Sequence, residues 1–220
     1  MSHPLGDNQA REQAVFFGQV TASVTHEIKN HLALINEYNG LLADLLAAHA
    51  RGRELDPERL AGLSAEVRKQ VRQAGEIVGQ LNRFAHSVDS ESEEVDLGEL
   101  AATFTALSAR RALRRRMELK LDLPATAPSL VCQPFLLLLA CHSLLEAVLE
   151  ACPEGASLAI GLEGGEPRPR LVFHCGETDL AREGGPPPWL LENLNASLEK
   201  DASGGLALVL GPGRTGPAQV

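Results

Sequence analysis

The sequence predicts an α+β protein in which a helical hairpin precedes a layered sheet domain. Apolar residues recur at alternating three- and four-residue steps through roughly the first 85 residues, as in packed helices. Short segments with alternating apolar residues follow, and they are interrupted by helical segments. An acidic, serine-containing stretch separates the two regions. We therefore divide the chain into a flexible N-terminus (1–12), a hairpin (13–88), a linker (89–96) and a sheet domain (97–220).

Two long helices form the predicted hairpin. The first runs from about Arg11 to Ala50, and the second begins where Asp56 can cap its N-terminus and Pro57 takes the first helical position. The apolar stripes comprise Phe17, Val20, Val24, Ile28, His31, Ile35, Tyr38, Leu42 and Leu45 in the first helix, and Leu60, Leu63, Val67, Val71, Ala74, Ile77, Val78, Leu81 and Phe84 in the second. One hairpin is too small to bury both stripes, so we expect a four-helix bundle in a homodimer.

The predicted sheet domain combines helices with a largely antiparallel sheet. Asp96 to Glu99 resembles a capping box and opens a helix to about Arg116, and a second, strongly apolar helix extends from Pro134 to Ala151. A last helix is predicted from Trp189 to Lys200. Alternating apolar residues predict strands at Met117–Leu123, Leu158–Leu162, Leu171–Phe173 and Leu206–Leu210. Helices on one face of such a sheet make an α+β layer domain.

Composition narrows the class of protein. A net charge of −9 and 4% aromatic residues argue against nucleic acid as a partner. The longest apolar run, Phe135–Cys141, is too short to cross a bilayer, and we see no signal pattern at the N-terminus. The cysteines lack C-x-x-C spacing and lie in or near apolar segments, which predicts buried free thiols in a reducing compartment. They are Cys132, Cys141, Cys152 and Cys175. We expect a cytoplasmic protein without membrane contact.

The stretch from His26 to Asn30 is the part of the chain that predicts chemistry. It lies in the middle of the first helix, and His26 is two positions from both Val24 and Ile28 of the apolar stripe. At about 100° per residue, His26 is rotated by about 200° from each of them and faces away from the core. Imidazoles in water have a pKa of about 6.5, so an outward histidine is available as a nucleophile at pH 7.

The segment from Thr25 to Leu32 resembles the phosphoacceptor box of two-component sensor histidine kinases, where a histidine, an acid, two variable positions and Asn or Thr precede Pro-Leu. The resemblance implies that His26 accepts a phosphoryl group, that Glu27 orients its imidazole and that Lys29 offsets phosphate charge. His31 replaces the usual proline. Because proline within a helix kinks the axis, His31 predicts a straighter helix.

The order of elements after residue 97 is similar to the ATP-binding domain of the same kinases. Ser143 to Gly155 resembles the asparagine box of that domain, but its metal-coordinating asparagine position falls on Ala147 and its opening asparagine on Ser143. Alanine offers no oxygen ligand to Mg²⁺. The adenine-recognising aspartate appears as His174 or Cys175. The resemblance therefore implies a degenerate kinase-ATPase-like domain that binds neither cofactor nor metal.

The C-terminal glycines allow two alignments with the family. Gly204-Gly205 and the following residues resemble a degenerate glycine box. Alternatively, Ser203-Gly204-Gly205 precedes the first strand of the closing hairpin, whose turn would be Pro212 to Gly216 and whose second strand would end at Val220. We prefer the second alignment because it completes the sheet. It leaves Gly176–Pro188 for the ATP lid, where Pro186-Pro187-Pro188 replaces phosphate-approaching glycines.

An intact acceptor box beside a degenerate ATP site resembles histidine phosphotransferases derived from kinases. Such a protein moves phosphoryl groups between response-regulator receiver domains, each of which brings a phosphoaspartate and its own Mg²⁺. Glu27-x-x-Asn30 also resembles the family's phosphatase motif, in which the amide positions water. A dimeric receiver-binding adaptor, or a kinase with an unrecognised ATP site, remains an alternative.

Two other sets of residues have simpler interpretations. A zinc site is disfavoured because His26 and His31 are about 140° apart on the helix, whereas H-E-x-x-H places both ligands on one face. A cluster of arginines at the end of the third helix suits a patch for an acidic partner, but we favour the interpretation that they are solvated cations at a helix C-terminus. It comprises Arg110, Arg111, Arg114, Arg115 and Arg116.

Overall fold

A computed structural model describes residues 4–165, 167–176, 178–180, 184–201 and 203–212. The chain divides into two compact units, which we call the hairpin unit (18–82) and the sheet unit (residues up to 17 and from 83 onward). The fold is α+β, with a helical region before a sheet domain, as predicted. The helix α1 (Pro4–Ala50) contributes residues to both units, because the boundary between residues 17 and 18 falls within it.

The hairpin unit contains most of α1 and of α2 (Pro57–His86). Asp56 caps α2 as predicted: its Oδ1 accepts hydrogen bonds from the backbone N–H of Glu58 at 3.0 Å and of Arg59 at 3.2 Å. Gly52 closes α1 with a φ of +88°, and its N–H donates to the carbonyl of His49 at 2.8 Å. These two capping arrangements separate the helices at the predicted break.

The N-terminal boundary differs from the prediction of a flexible segment at 1–12. The helix α1 begins at Pro4, and Glu12 accepts a hydrogen bond at 3.1 Å from Nε1 of Trp189. Phe16 is buried and contacts the rings of Phe84, Phe135 and His142. An aromatic cluster of the sheet unit thus includes the first turns of α1.

The sheet unit begins with β1 (Glu93–Asp96), which lies inside the stretch predicted as linker. It pairs antiparallel with β3 (Ser129–Cys132), a strand that the sequence analysis missed. Both strands are short, and three of the four β1 residues are exposed acids, so neither shows a clear alternating pattern. Along the chain, β1 and β3 are separated by α3 (Leu97–Arg114) and β2 (Glu118–Asp122). The carboxylate of Asp96 caps α3 through the N–H groups of Gly98 and Glu99, as predicted.

Within the described residues, the main sheet has five strands in the order β2-β4-β5-β7-β6, and only the β2–β4 pair among them is parallel. The remaining elements are α4 (Pro134–Ala151), β4 (Ser157–Glu163), β5 (Arg170–Cys175), α5 (Pro188–Asn193), β6 (Ala196–Lys200) and β7 (Leu206–Leu210). The sequence predicted one helix at Trp189–Lys200, but the chain forms the short helix α5 followed by the strand β6. Asn195, with a φ of +49°, stands at the break between them.

The core of the sheet unit lies between α3, α4 and the sheet. Leu158, Ile160 and Leu162 alternate along β4 and are buried, and Leu137, Leu144 and Leu145 of α4 are fully buried. Among the described helices, α4 is long and apolar enough to cross a membrane. Two thirds of it (67%) is buried inside the protein, which is also the position of a core helix.

Candidate functional site

The predicted acceptor box lies on an outward face of α1. His26, Lys29 and Asn30 are exposed and Glu27 is half-buried. Val24, two residues before His26, is 2% exposed. The rotation of about 200° over two residues therefore produces the predicted separation between the core-facing stripe and the histidine.

Helix geometry brings the four box residues together in pairs. Asn30 is four residues after His26, and Lys29 is three residues after it, so both are neighbours of the imidazole on the helix surface. Glu27 is three residues before Asn30 and forms the second such pair. The surface thus combines a nucleophile, a carboxylate, an ammonium group and an amide. These groups suit phosphoryl chemistry, because the cation can offset phosphate charge and the amide can hold a water molecule.

The residue that replaces proline has a packing role. His31 is half-buried, and its Nδ1 lies 2.6 Å from Oε1 of Gln70 on α2. The helix α1 continues without interruption through this position, which agrees with the absence of proline. The prediction that His31 is a packed histidine is confirmed by this contact.

The second helix leaves part of its predicted stripe exposed in the single chain. Val71 and Val78 are 54% and 42% exposed, as expected of a hairpin that cannot bury both stripes alone, whereas Gln70 is 6% exposed. Gln70 has the same three- and four-residue spacing from Val67 and Ala74 as a core position. Sequence reasoning missed it because an amide was not counted among the apolar residues of the stripe.

The positions that match the kinase metal site carry no suitable oxygen. Ser143 donates its hydroxyl to the carbonyl of Leu139 at 3.0 Å. Ala147 lies against Gly184, so that a Cβ on that glycine would be 3.2 Å from the Ala147 Cβ. Glu146, the nearest carboxylate in sequence, is bonded to Arg111. These residues do not fit a nucleotide-bound Mg²⁺, which requires oxygen ligands with open access.

The position of the adenine-recognising aspartate is also altered. His174 has its Nδ1 2.9 Å from Oγ of Ser203, and its Nε2 lies 3.6 Å from Oδ2 of Asp201. Cys175 is 1% exposed and is bonded to Cys152. The imidazole is thus held by the turn before β7, and neither residue offers a carboxylate to a purine.

The described residues test the first half of the preferred alignment, in which Gly204-Gly205 precedes a strand. That strand is β7, which pairs antiparallel with β6 from Ala196↔Leu210 to Lys200↔Leu206. Gly204, with a φ of +86°, therefore stands in the turn between the two strands. Residues 213–220, which that alignment assigned to the turn and last strand, lie outside the described residues. The predicted lid, Gly176–Pro188, ends at the first residue of α5, whose Leu190 is fully buried.

The cysteines correct part of the thiol prediction. Cys132 and Cys141 are free and buried, and burial raises the pKa of each thiol to about 12. Cys152 and Cys175 instead form a disulfide, because the C-terminus of α4 and the end of β5 place their Cα atoms 6.4 Å apart.

Part of the arginine cluster is bound within the protein. Arg111 pairs with Glu146, and a guanidinium N–H of Arg115 donates to the carbonyl of Leu149. Both contacts attach α3 to α4. The interpretation of these two residues as solvated cations is therefore wrong, since they hold the two core helices together.

The described part of the chain contains no group of three or more His, Cys, Asp or Glu side chains arranged to hold a metal ion. It does contain an open cleft of about 650 Å³ between α5 and β6, and no predicted site residue borders it. The residues that line the cleft are Arg168, Pro188, Leu191, Glu192, Asn195, Ala196 and Ser197. The acceptor box is therefore an exposed helix surface rather than a pocket.

No protein-family model matches the chain, and no curated protein is significantly similar to it. Similar solved structures include a histidine kinase from Burkholderia phymatum, which is 15% identical with a TM-score of 0.46 over 90% of this chain and 98% of that one. The histidine kinase AdeS of Acinetobacter baumannii is 14% identical, with a TM-score of 0.44, over 79% and 94% of the two chains. The histidine kinase ThkA in complex with the response regulator protein TrrA is also 14% identical, with a TM-score of 0.44, over 93% of this chain and 64% of that one. Similarity at these identities concerns the fold, so the functional argument rests on the residues of this chain.

Proposed function

We propose that this chain is a histidine phosphotransferase of a phosphorelay, which carries a phosphoryl group between receiver aspartates on His26. The observation that carries the proposal is the exposure of His26, Lys29 and Asn30 on one outward region of α1, next to the core-facing Val24. A nucleophile presented on a convex helix can be reached by a folded partner, whereas a small substrate is usually held in a concave pocket.

The transfer consists of two related displacements. An imidazole nitrogen of His26 attacks the phosphorus of a receiver phosphoaspartate in line with the acyl phosphate P–O bond. The attack uses the unprotonated ring nitrogen: the N–P bond forms as the P–O bond breaks, the aspartate leaves as a carboxylate, and the other ring nitrogen keeps its proton, which it donates to the Glu27 carboxylate. The carboxylate of a second receiver then attacks the phosphohistidine, and His26 is regenerated.

The neighbouring side chains have separate roles in this proposal. The carboxylate of Glu27 accepts a hydrogen bond from the imidazole and orients it, and the ammonium group of Lys29 offsets the charge of the bound phosphate. The Mg²⁺ that neutralises the phosphoryl oxygens belongs to the receiver, because the described residues here provide no cluster of metal ligands.

The sheet unit does not supply the phosphoryl group in this proposal. Ala147 has no oxygen at the position that matches the metal-coordinating asparagine, the Ser143 hydroxyl donates to the carbonyl of Leu139, and Gly184 packs against Ala147. The phosphoryl group must therefore come from another protein. A partner with a phosphoaspartate fulfils this requirement without ATP.

We also propose a homodimer formed through the hairpin. Several large apolar side chains of this unit are exposed, although a water-soluble helical hairpin usually covers such residues. They are Leu32, Leu34, Leu41, Leu46, Val71 and Val78. Because Leu34 and Leu41 on α1, and Val71 and Val78 on α2, are seven residues apart, each pair lies on one side of its helix and suits helix packing.

Hydrolysis of a receiver phosphoaspartate is the second candidate function. The exposed amide of Asn30 is one helical turn from His26, so it can position a water molecule at the site that the imidazole would attack. This reaction needs no covalent intermediate on this chain. A receiver-binding adaptor would use the same surface without chemistry.

A phosphorylated receiver mixed with the full-length chain tests these functions. We expect an acid-labile phosphoprotein at the mass of this chain, because phosphohistidine is acid-labile. His26→Gln should lower the transfer rate by about 10³-fold or more, since an amide is not a nucleophile. Asn30→Ala should keep the phosphorylated chain and serves as the matched control on the same helix face.

Two other results would replace the relay. Release of inorganic phosphate from the receiver at an unchanged rate in His26→Gln, and its loss in Asn30→Ala, would identify a phosphatase. Receivers that keep their label throughout a panel of regulators, although they bind the chain, would identify an adaptor.

A further inference from the structure

The first helix is packed unevenly along its length. Among residues 18–82, all of which the structure describes, three are buried, and two of these, Val20 and Val24, lie on α1. Together with Phe16 they form a buried row at a spacing of four residues, and this row ends two residues before His26. Because helices in proteins are stabilised mostly by tertiary packing, the segment that carries His26 depends on contacts at this end of α1.

An aromatic cluster closes the open end of the hairpin, which is the end opposite the loop between α1 and α2. It consists of Phe16 on α1, Phe84 on α2, and Phe135 and His142 on α4. All four belong to the sheet unit, since that unit includes residues up to 17 and from 83 onward. The ring centroid of Phe16 lies 5.4 Å from that of Phe84, 5.6 Å from that of Phe135 and 4.7 Å from that of His142. Both hairpin helices are therefore packed against α4 at this end.

Two hydrogen bonds support the same end of the hairpin. Nε1 of Trp189 on α5 donates to a carboxylate oxygen of Glu12 at 3.1 Å, one turn before Phe16. Nε of Arg83, near the end of α2, donates to the hydroxyl of Thr103 on α3 at 3.4 Å. Hydrogen bonds have preferred distances and angles, so they restrict position more narrowly than apolar contacts do.

The aromatic cluster is close to the proposed acceptor along the chain. His26 is ten residues after Phe16, which corresponds to about 15 Å along one continuous helix. A helix that loses the tertiary contacts of one end opens locally from that end. Loss of the Phe16 contacts should therefore reach the turns that carry Val20, Val24 and His26.

We propose that Phe16 is a positioning residue, through which the aromatic cluster anchors α1 and keeps the segment around His26 ordered for phosphoryl transfer. The link to transfer rests on the proposed relay, whereas the anchoring itself does not. Phe16 acts through the helix and touches neither phosphate nor receiver. In this role the sheet unit serves the relay as an anchor for α1, a function that needs no nucleotide.

The test measures the order of the His26 segment without any phosphoryl transfer. Amide hydrogen exchange followed by mass spectrometry gives a rate for the peptide that covers residues 18–30. In Phe16→Ala we expect this peptide to exchange at least about tenfold faster, and the rate of transfer to fall by at least about tenfold. Alanine has a higher helix propensity than phenylalanine, so faster exchange reports the lost anchor and not a weaker helix former.

Phe104→Ala is the matched control, because it makes the same change in the core of the sheet unit. Phe104 on α3 is 3% exposed, as Phe16 is, and its ring centroid lies 6.2 Å from that of Phe173 on β5. This variant should leave the exchange of residues 18–30 within about twofold of the wild-type rate.

Milder variants keep the test decisive if Phe16→Ala unfolds the sheet unit, which the exchange of the peptide that covers β4 would show. Phe16→Val and Phe104→Val then replace the alanine pair, because valine leaves part of the apolar side chain in place. Phe16→Leu keeps most of the apolar volume in the cluster, so it should bring exchange and transfer back to within about threefold of the wild-type rates.

The outcomes distinguish the anchor from the relay. Unchanged exchange of residues 18–30 in a folded Phe16→Ala or Phe16→Val chain would overturn the anchoring role, and so would equal acceleration in the matched Phe104 variant. Faster exchange with a wild-type rate of transfer would overturn the positioning role. Faster exchange in a chain that never accepts a phosphoryl group would support the anchor and overturn the relay alone.

Discussion

The hairpin unit and the sheet unit differ in how they use burial. The sheet unit has a continuous core in which Leu144, Leu145 and Phe173 are fully buried, whereas few hairpin side chains, such as Val20 and Val24, reach the same level. The candidate chemistry lies on the hairpin unit. In the sheet unit, Ala147 offers no oxygen at the position that the sequence resemblance assigns to a metal ligand. Fold and reactive groups are therefore separable, since a core requires apolar residues and a site requires particular polar ones.

The strongest effect expected from this difference concerns the core of the sheet unit. Leu145→Ala removes a fully buried side chain of α4 and should lower the free energy of unfolding by about 2–5 kcal/mol. Leu113→Ala on α3, where the side chain is 70% exposed, should change it by less than about 0.5 kcal/mol. Urea denaturation followed by circular dichroism measures both, and equal effects would contradict the assigned core.

The disulfide gives a second test of the sheet unit. Cys152 and Cys175 are separated by 23 residues, and closing a loop of this size should stabilise the folded state by about 3 kcal/mol. Cys152→Ser should show this loss, while the same denaturation in the presence of a reducing agent should not affect the variant further. Thiol titration that finds four reactive cysteines in the unfolded, unreduced protein would contradict the bond.

The buried imidazole of His142 should make the stability of the sheet unit depend on pH. Burial lowers its pKa from 6.5 to about 4, with the Glu146 carboxylate opposing and the Arg111 guanidinium adding to the shift. The unfolded state binds the proton more strongly than the folded state does. The free energy of unfolding is therefore highest above pH 6.5, and it decreases by at most about 3 kcal/mol as the pH falls toward 4. His142→Phe should flatten this part of the stability profile. A variant that keeps the full pH dependence would assign it to other groups.

Most of the architecture could be predicted because it follows from periodic burial. The stripes of α1 and α2, the caps at Asp56 and Asp96 and the apolar helix α4 are local patterns. The errors have non-local causes. Gln70 is buried because His31 supplies a partner 39 residues away, and β3 becomes a strand because β1 pairs with it. Cys152 and Cys175 meet only when α4 and β5 are placed side by side.

The candidate site was predicted more completely than its surroundings. Outward exposure of His26 follows from a rotation on one helix, so no tertiary information was needed. In the sequence, Gly204-Gly205 suits both a turn and a glycine box. The pairing of β6 with β7 places Gly204 in the turn before β7, as the preferred alignment has it, and the second strand of that alignment lies outside the described residues.

The exposed apolar residues of the hairpin unit predict that the chain is a dimer in solution. Light scattering at micromolar concentration should give twice the 23.5 kDa mass of the chain. Val71→Glu places a charge on a side chain that is 54% exposed, so it should leave the monomer folded and reduce the mass to that of one chain. Arg72→Glu on the adjacent exposed position is the control. A monomeric wild-type chain would rule out this dimer surface.

The most direct measurement follows the source of the phosphoryl group on His26. The full-length chain is incubated either with Mg²⁺ and labelled ATP alone, or with a phosphorylated receiver, and the peptide that contains His26 is analysed by mass spectrometry under neutral conditions. The account predicts a phosphoryl group on His26 from the receiver and none from ATP, because Ala147 carries no oxygen where the kinase asparagine would stand and the described residues contain no group of metal-ligating side chains. Phosphorylation of His26 by ATP alone would contradict it, since the sheet unit would then contain a working kinase site.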